Sequence, residues 1–245
     1  MSEAIRAGAR AAYFGGSFDP PHLGHLAVAR AARTALRLDP VLFAPVGSQP
    51  LKTHGSTASF DDRVAMTRLA IRDEPGMTLS LADAPMAAGA PNYSVDTLAR
   101  LREELPPGCI LYFLMGADSF LTLPRWHRAA EIPFLAPIIV ASRPGQRLDD
   151  LKPALPANLT IEAAPCAEQN SPAIELRCYT IKDPSGNRAP FYLLPGLDVN
   201  ISASGLRTRI RAAGGLGPKE SKLIPPAVAD YIRARALYEK AGNRE

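Results

Sequence analysis

The stretch that most limits what this chain can become spans residues 11–25. A short apolar run, Ala11-Ala12-Tyr13-Phe14, passes straight into Gly15-Gly16. Ser17-Phe18-Asp19-Pro20-Pro21 then leads to His22-Leu23-Gly24-His25, at the head of a segment rich in alanine and arginine over residues 26–36. The apolar run reads as a strand and the following pattern as a helix, so glycines and histidines sit where a strand ends and a helix begins. In a sheet built from such units, ligands bind beyond the carboxyl ends of the strands. Glycine lets the backbone approach a phosphate closely, and a helix start points unpaired N–H groups and the positive end of its dipole at the same spot. An anion site is expected there.

His22 and His25, three apart at a helix start, fall on one face and can both donate hydrogen bonds to one polyphosphate. A His-x-x-His pair by itself is more often a capping or core pair; the glycines and the strand-to-helix position tip the reading toward phosphate. Zinc is disfavoured, because four-residue spacing is the commoner helical ligand pattern and no cysteine cluster supplies further ligands.

The same alternation recurs along the chain. Apolar runs at Val41-Leu42-Phe43-Ala44, Ile110-Leu111-Tyr112-Phe113-Leu114-Met115 and Pro137-Ile138-Ile139-Val140 lack in/out alternation and read as strands covered on both faces. Helical patterns fall between them at residues 59–71, opening on the capping sequence Ser59-Phe60-Asp61-Asp62, and at residues 94–105, with Val95, Leu98, Leu101 and Leu105 on one face. Strand and helix in alternation predict an α/β fold with a doubly wound, mostly parallel sheet, forming a single domain over residues 1–245 with helices closing its C-terminal end. Residues 1–10 are expected to be a flexible N-terminal arm, and the proline-rich residues 146–195 a two- or three-stranded extension of the sheet with strands near 159–163, 174–181 and 191–194. Helical signals close the chain at residues 202–213 and from Pro225-Pro226 to about residue 240.

A second candidate element is Ile201-Ser202-Ala203-Ser204-Gly205-Leu206-Arg207. Serine at a helix start ordinarily caps it, but a hydroxyl pair, free amides and a guanidinium also make a phosphate clamp. Neither element pairs a nucleophile with a base, and there is no Walker lysine motif, which favours chemistry run by positioning and charge stabilisation. The net charge of +4 comes from scattered basic residues without a run of like charge, so no nucleic-acid partner is expected. Cys109, Cys166 and Cys178 are odd in number and far apart, without C-x-x-C spacing, and read as reduced thiols of a cytoplasmic protein. No apolar stretch approaches the ~20 residues that cross a bilayer, and the first ten residues lack the apolar core of a signal peptide.

Taken together, residues 15–25 and 201–207 resemble the two signatures of the nucleotidylyltransferase superfamily, a G-x-F-D-P-x-H-x-G-H loop and an I-S-S-T-x-x-R helix start. Within it the chain resembles the bacterial nicotinate-nucleotide adenylyltransferases, through Pro91-Asn92-Tyr93-Ser94-Val95-Asp96-Thr97-Leu98, Gly116-Ala117-Asp118-Ser119, Leu123-Pro124-Arg125-Trp126 and Ser142-Arg143-Pro144-Gly145. The resemblance implies a Rossmann-like fold and an enzyme for which ATP and nicotinate mononucleotide are the substrates, in the synthesis of NAD. It implies His22, His25 and Arg207 as the catalytic groups on the phosphates. Gly15, Gly16, Ser17, Phe18, Lys52, Asp118, Ile201, Ser202 and Ser204 would bind ATP, with Asp118 on a ribose hydroxyl. Trp126 would stack on the pyridine ring, while Ser94 and the amides of Val95 and His127 would meet the nicotinate carboxylate. Magnesium (Mg2+) is expected on the ATP phosphates, without a dedicated protein ligand.

Two departures stand out. Ala203 replaces a hydroxyl of the second signature, and Gln49-Pro50-Leu51-Lys52-Thr53-His54 replaces a Pro-His-Lys-like loop, which leaves the role of His54 open. A nicotinamide-preferring relative, another adenylyltransferase of the superfamily and a silent nucleotide-binding regulator are the competing readings. Whether the chain pairs with copies of itself is left open.

Overall fold

The computed structural model describes residues 5–51, 55–142, 148–167, 174–196 and 201–239. In chain order the elements are β1 (Arg10–Gly16), α1 (Leu23–Leu36), β2 (Val41–Pro45), α2 (Phe60–Ile71), β3 (Met77–Leu79), α3 (Ser94–Glu104), β4 (Ile110–Gly116), α4 (Ala117–Phe120), α5 (Ile132–Leu135) and β5 (Ile138–Ala141). They continue with α6 (Leu148–Leu151), β6 (Thr160–Ala163), β7 (Arg177–Lys182), β8 (Arg188–Leu194), α7 (Ala203–Ala213), α8 (Pro218–Ser221) and α9 (Pro226–Ala234).

The strands form one sheet in the order β3-β2-β1-β4-β5-β8-β7-β6. The run from β3 to β8 is parallel, while β7 and β6 add antiparallel. From β1 the chain winds outward to β2 and β3, then returns to lay β4 and β5 on the other side. That reversal opens a crevice at the carboxyl ends of β1 and β4, where such sheets bind ligands. The expected doubly wound, mostly parallel sheet is the fold observed.

Alternate residues of β1 feed opposite faces: Ala12 and Phe14 join the core under α1, α2, α7 and α9, whereas Ala11 and Tyr13 join the core under α3 and α5. All five residues of β2 and all four of β5 are buried, which explains why these strands show continuous apolar runs instead of alternation. Burial of each Phe or Leu in these layers contributes about 1.5–3 kcal/mol. Helix α1 turns Ala29, Ala32 and Ala35 toward the sheet, side chains small enough to bring its backbone close. Helix α2 starts as its sequence suggests, with Ser59 Oγ accepting from the Asp62 amide at 3.0 Å, a cap worth about 1 kcal/mol.

Several expectations need correction. Strand β3 was not foreseen: it has three residues and, among the described residues, pairs only with β2. The last helix stops at Ala234 and does not reach residue 240, because Ala236 and Tyr238 adopt left-handed backbone (φ 48° and 69°) and turn Tyr238 into the core. Cys166 and Cys178 are not separate thiols; the β6–β7 reversal brings them together and they form a disulfide, while Cys109 is free. Sequence distance misled here because an antiparallel ladder makes residues well apart in the chain neighbours. In the N-terminal arm, Arg10 already belongs to β1, Ile5 packs on the core, and the Gly8 amide donates to Pro107 O at 3.2 Å. Among the described residues no helix is long and apolar enough to cross a membrane.

Candidate active site

A cavity of about 930 Å³ lies over the carboxyl ends of β1 and β4. Three walls meet in it. The first is the β1–α1 loop, with Gly15, Gly16, Ser17, Phe18, His22 and His25; the second is the α7 start, with Ile201, Ser202, Ser204 and Arg207. The third follows β4 and α3 and carries Asp118, Ser94, Trp126 and His127. Val95 does not line the cavity: its side chain is 1% exposed and packs in the core, so only its amide can serve the expected role. Lys52 and His54 lie outside the described residues, as do Arg143, Pro144 and Gly145.

The local sequence explains the shape of the first wall. A side-chain carbon on Gly15 would run into the Tyr13 hydroxyl, so glycine is required where the strand ends. Phe18 holds a left-handed backbone (φ 45°) that costs about 1–3 kcal/mol for such a residue, and its ring is locked against Phe14, Phe43 and His25. Phe18 therefore acts both as a core residue and as a former of the cavity wall.

His22 is the N-cap of α1, and its backbone N–H donates to Nδ1 of His25 at 3.1 Å. With Nδ1 accepting, the neutral His25 ring carries its proton on Nε2 and keeps one donor for a ligand. The two imidazoles stack at 3.7 Å between centroids. Burial pushes the His22 pKa down to about 4, and burial together with the neighbouring His22 pushes His25 down as well. Both rings are thus neutral at pH 7 in the free protein. His22 Nδ1 is buried with no partner among the described residues, a polar atom left for a ligand to satisfy.

Beneath this loop lies a polar hub that the sequence did not disclose. Asp19 is 2% exposed, and its carboxylate accepts from the amides of Thr57 (2.7 Å) and Ala58 (3.1 Å) and from the Tyr238 hydroxyl (2.8 Å). Arg207 donates to the Asp19 carbonyl at 2.6 Å and stands 3.8 Å from its carboxylate. Arg63, itself buried, donates to the Ser17 carbonyl at 2.8 Å. The hub ties α2, α7 and the C-terminal tail to the loop and places two guanidinium charges at or under it. Only contacts distant in sequence define it, which is why no motif signalled Arg63 or Tyr238.

At the start of α7, Ser202 Oγ accepts from the Gly205 amide at 3.4 Å and lies 2.9 Å from Ser204 Oγ. Ser202 therefore does cap, and both hydroxyls still face the cavity. On the third wall, Trp126 is half-buried: Nε1 donates to Thr122 Oγ1 at 2.9 Å and the ring packs 6.1 Å from Phe113, so the indole is held in place yet borders the cavity. Tyr93 packs on His127 at 4.4 Å. The amides of Asp96 and Thr97 donate to Tyr93 O, leaving those of Ser94 and Val95 as the unpaired donors of the α3 start among the described residues. Asp83 and Tyr13 also line the cavity and were missed, since a lone acidic residue in an unpatterned stretch carries no sequence signal. Among the described residues no group of three or more His, Cys, Asp or Glu side chains is placed to hold a metal ion.

A family model described as cytidylyltransferase-like matches residues 13–209. The probable nicotinate-nucleotide adenylyltransferase of Stenotrophomonas maltophilia is 41% identical over 230 residues, covering 92% of this chain and 95% of its own. That of Gloeobacter violaceus is 38% identical over 95% of this chain and 97% of its own, and that of Laribacter hongkongensis 37% identical over 92% of each. Among solved structures, the nicotinic acid mononucleotide adenylyltransferase of Plasmodium falciparum complexed with NaAD superposes with a TM-score of 0.65 over 94% of this chain and 97% of that one. At 17% identity it speaks for the fold alone. With relatives of this identity matched along nearly its whole length, the chain belongs to the nicotinate-nucleotide adenylyltransferase family of cytidylyltransferase-like proteins.

Proposed function

We propose that this protein transfers the adenylyl group of ATP to nicotinate mononucleotide, forming nicotinate adenine dinucleotide and releasing pyrophosphate in the synthesis of NAD. The observation that carries the reading is the convergence of two phosphate-type helix starts and the Ser94–Trp126 pocket on one cavity. The two helix starts together suit one polyphosphate; a site joining two nucleotides also needs a place for the second base.

The reaction asks for no protein nucleophile. An oxygen of the mononucleotide phosphate attacks the α-phosphorus of ATP in line, and the bond from that phosphorus to the bridging oxygen breaks with its electron pair leaving on pyrophosphate. Charge grows on the transferring group and on the leaving oxygens, and groups already aimed there lower the barrier. His25 supplies a donor from Nε2, and the buried Nδ1 of His22 becomes a donor if that ring protonates as the polyphosphate arrives. Stacking at 3.7 Å opposes charging both rings at once. Arg207, fixed by Asp19, together with Ser202 and Ser204 holds the β and γ phosphates. Magnesium, bound through phosphate oxygens and water, would neutralise charge on the leaving pyrophosphate.

The acid is favoured as acceptor because the α3 start offers amides and the positive end of a helix dipole, a setting worth about 0.3–1 kcal/mol and up to ~2 kcal/mol to a carboxylate. Tyr93 at its N-cap makes no side-chain cap, so these donors await a ligand. The test is pyrophosphate release from ATP-Mg with either mononucleotide: kcat/KM for the nicotinate form should exceed that for the nicotinamide form by roughly two- to thirtyfold. Equal values would remove the carboxylate from the account.

A further inference from the structure

Asp83 lines the cavity, is 3% exposed, and among the described residues accepts no hydrogen bond from a lysine or arginine side chain, although the Arg100 charge lies near enough to favour its ionised form. Its carboxylate accepts from two hydroxyls. Thr97 Oγ1 donates at 2.5 Å and the Tyr13 hydroxyl donates to the other oxygen. Its backbone carbonyl accepts from the Gly47 amide at 2.7 Å, which ties the segment to the exit of β2. Asn92 reinforces the tie: its Oδ1 accepts from the Ser48 amide at 2.9 Å and its Nδ2 donates to Ala84 O at 3.0 Å. Burial holds the Asp83 carboxyl above the usual carboxylate range, against the pull of its two donors and of the Arg100 charge.

The two hydroxyls belong to opposite halves of the site. Tyr13 lies on β1 directly under Gly15, the residue whose lack of a side chain makes room for its hydroxyl, and its ring packs 5.3 Å from Phe113, which packs on Trp126. Thr97 lies one helical turn after Ser94, on the buried face of α3. One carboxylate thus spans the strand end that holds ATP phosphates and the helix start that meets the acceptor.

We propose that Asp83, bridging Tyr13 and Thr97, is a positioning residue for the acceptor: it fixes the start of α3, and with it Ser94, at a set height above the phosphate loop. The inference rests on the function proposed above. A reacting phosphate misplaced by even a fraction of an ångström is a poor nucleophile, so the geometry between the two halves matters more than the strength of either. Loss of one hydroxyl should loosen the acceptor half while the Asp19 hub keeps the ATP half in place.

The test uses Thr97→Val, close in shape but without the hydroxyl, beside Thr97→Ser, which restores it, with KM for each substrate, kcat and Tm measured on all three proteins. Trp126 is the only tryptophan of the chain, so its fluorescence reports acceptor binding independently of turnover. Thr97→Val should raise the acceptor KM and fluorescence Kd roughly tenfold, the scale of a lost hydrogen bond to a charged group, with the ATP KM within about twofold and Thr97→Ser close to wild type. Equal rises for both substrates, a fall in Tm with unchanged constants, or Thr97→Ser as impaired as Thr97→Val would overturn the proposal. An active wild type with an unaffected valine variant sinks this inference alone. A wild type that releases no pyrophosphate with any pyridine mononucleotide sinks the function itself.

Discussion

Replacement of His25 by alanine separates the catalytic from the structural work of the histidine pair. Two polar contacts go at once, beside the ring's stacking on His22 and its packing on Phe18. The first is the hydrogen bond from the His22 amide to His25 Nδ1 (3.1 Å), which satisfies one open donor at the head of α1; its loss should lower stability by about 0.5–1.5 kcal/mol. The second is the Nε2 donor, which serves the substrate only and has no part in stability. Loss of one such preorganised donor costs about 2.7–4 kcal/mol of barrier, or roughly 10²–10³ in kcat. His25→Ala should therefore fold, melt a few degrees lower, and turn over 10²–10³-fold more slowly by a coupled pyrophosphate assay, with KM for nicotinate mononucleotide little changed. A kcat within threefold of wild type would refute the donor role. A protein that no longer folds would show that the stacked pair serves packing.

Trp126→Ala should weaken binding of nicotinate mononucleotide at least tenfold in calorimetric titration and leave ATP affinity within about twofold; matched losses would return the indole to a packing role. His22 stays neutral in the folded protein down to about pH 4 but would take up a proton near 6.5 once unfolded, so the unfolded state binds more protons between those values. That contribution is complete above pH 6.5 and is lost as pH falls toward 4, by about 3 kcal/mol at 1.36 kcal/mol per unit; urea unfolding at pH 5 and 7.5 should show a flatter dependence for His22→Asn than for wild type, and parallel curves would contradict it. Tyr238→Phe removes one of the donors to the buried Asp19 carboxylate and should cost about 1.5–3 kcal/mol in denaturant unfolding, with no cost at all if the tail is not docked in solution.

The parts of this protein legible in its sequence are those where local pattern and tertiary burial agree. Strands β1, β2, β4 and β5 announce themselves because both faces are covered and nearly every residue must be apolar. The caps at Ser59 and Ser202 are visible because a serine before a helical pattern ordinarily caps it. Strand β3 was invisible: Met77-Thr78-Leu79 is too short to carry a period and exists because β2 offers it an edge. The disulfide depended on the register of β6 with β7, in which Ala163 faces Tyr179. The site divides in the same way. Gly15, His22, His25, Ser202 and Arg207 stand in compact runs whose chemistry is readable, whereas Asp19, Arg63, Asp83 and Tyr238 gain their roles from partners 14 to 219 residues away. Buried polar hubs are assembled by topology, and a single sequence does not show which distant donors will meet one carboxylate.

The most direct test follows the phosphorus that moves. With ATP labelled in the α-phosphate and nicotinate mononucleotide as acceptor, the account predicts that the label appears in a dinucleotide with the mass of nicotinate adenine dinucleotide, in step with unlabelled pyrophosphate. Label that stays in ATP, or that appears in free AMP without dinucleotide, would contradict it.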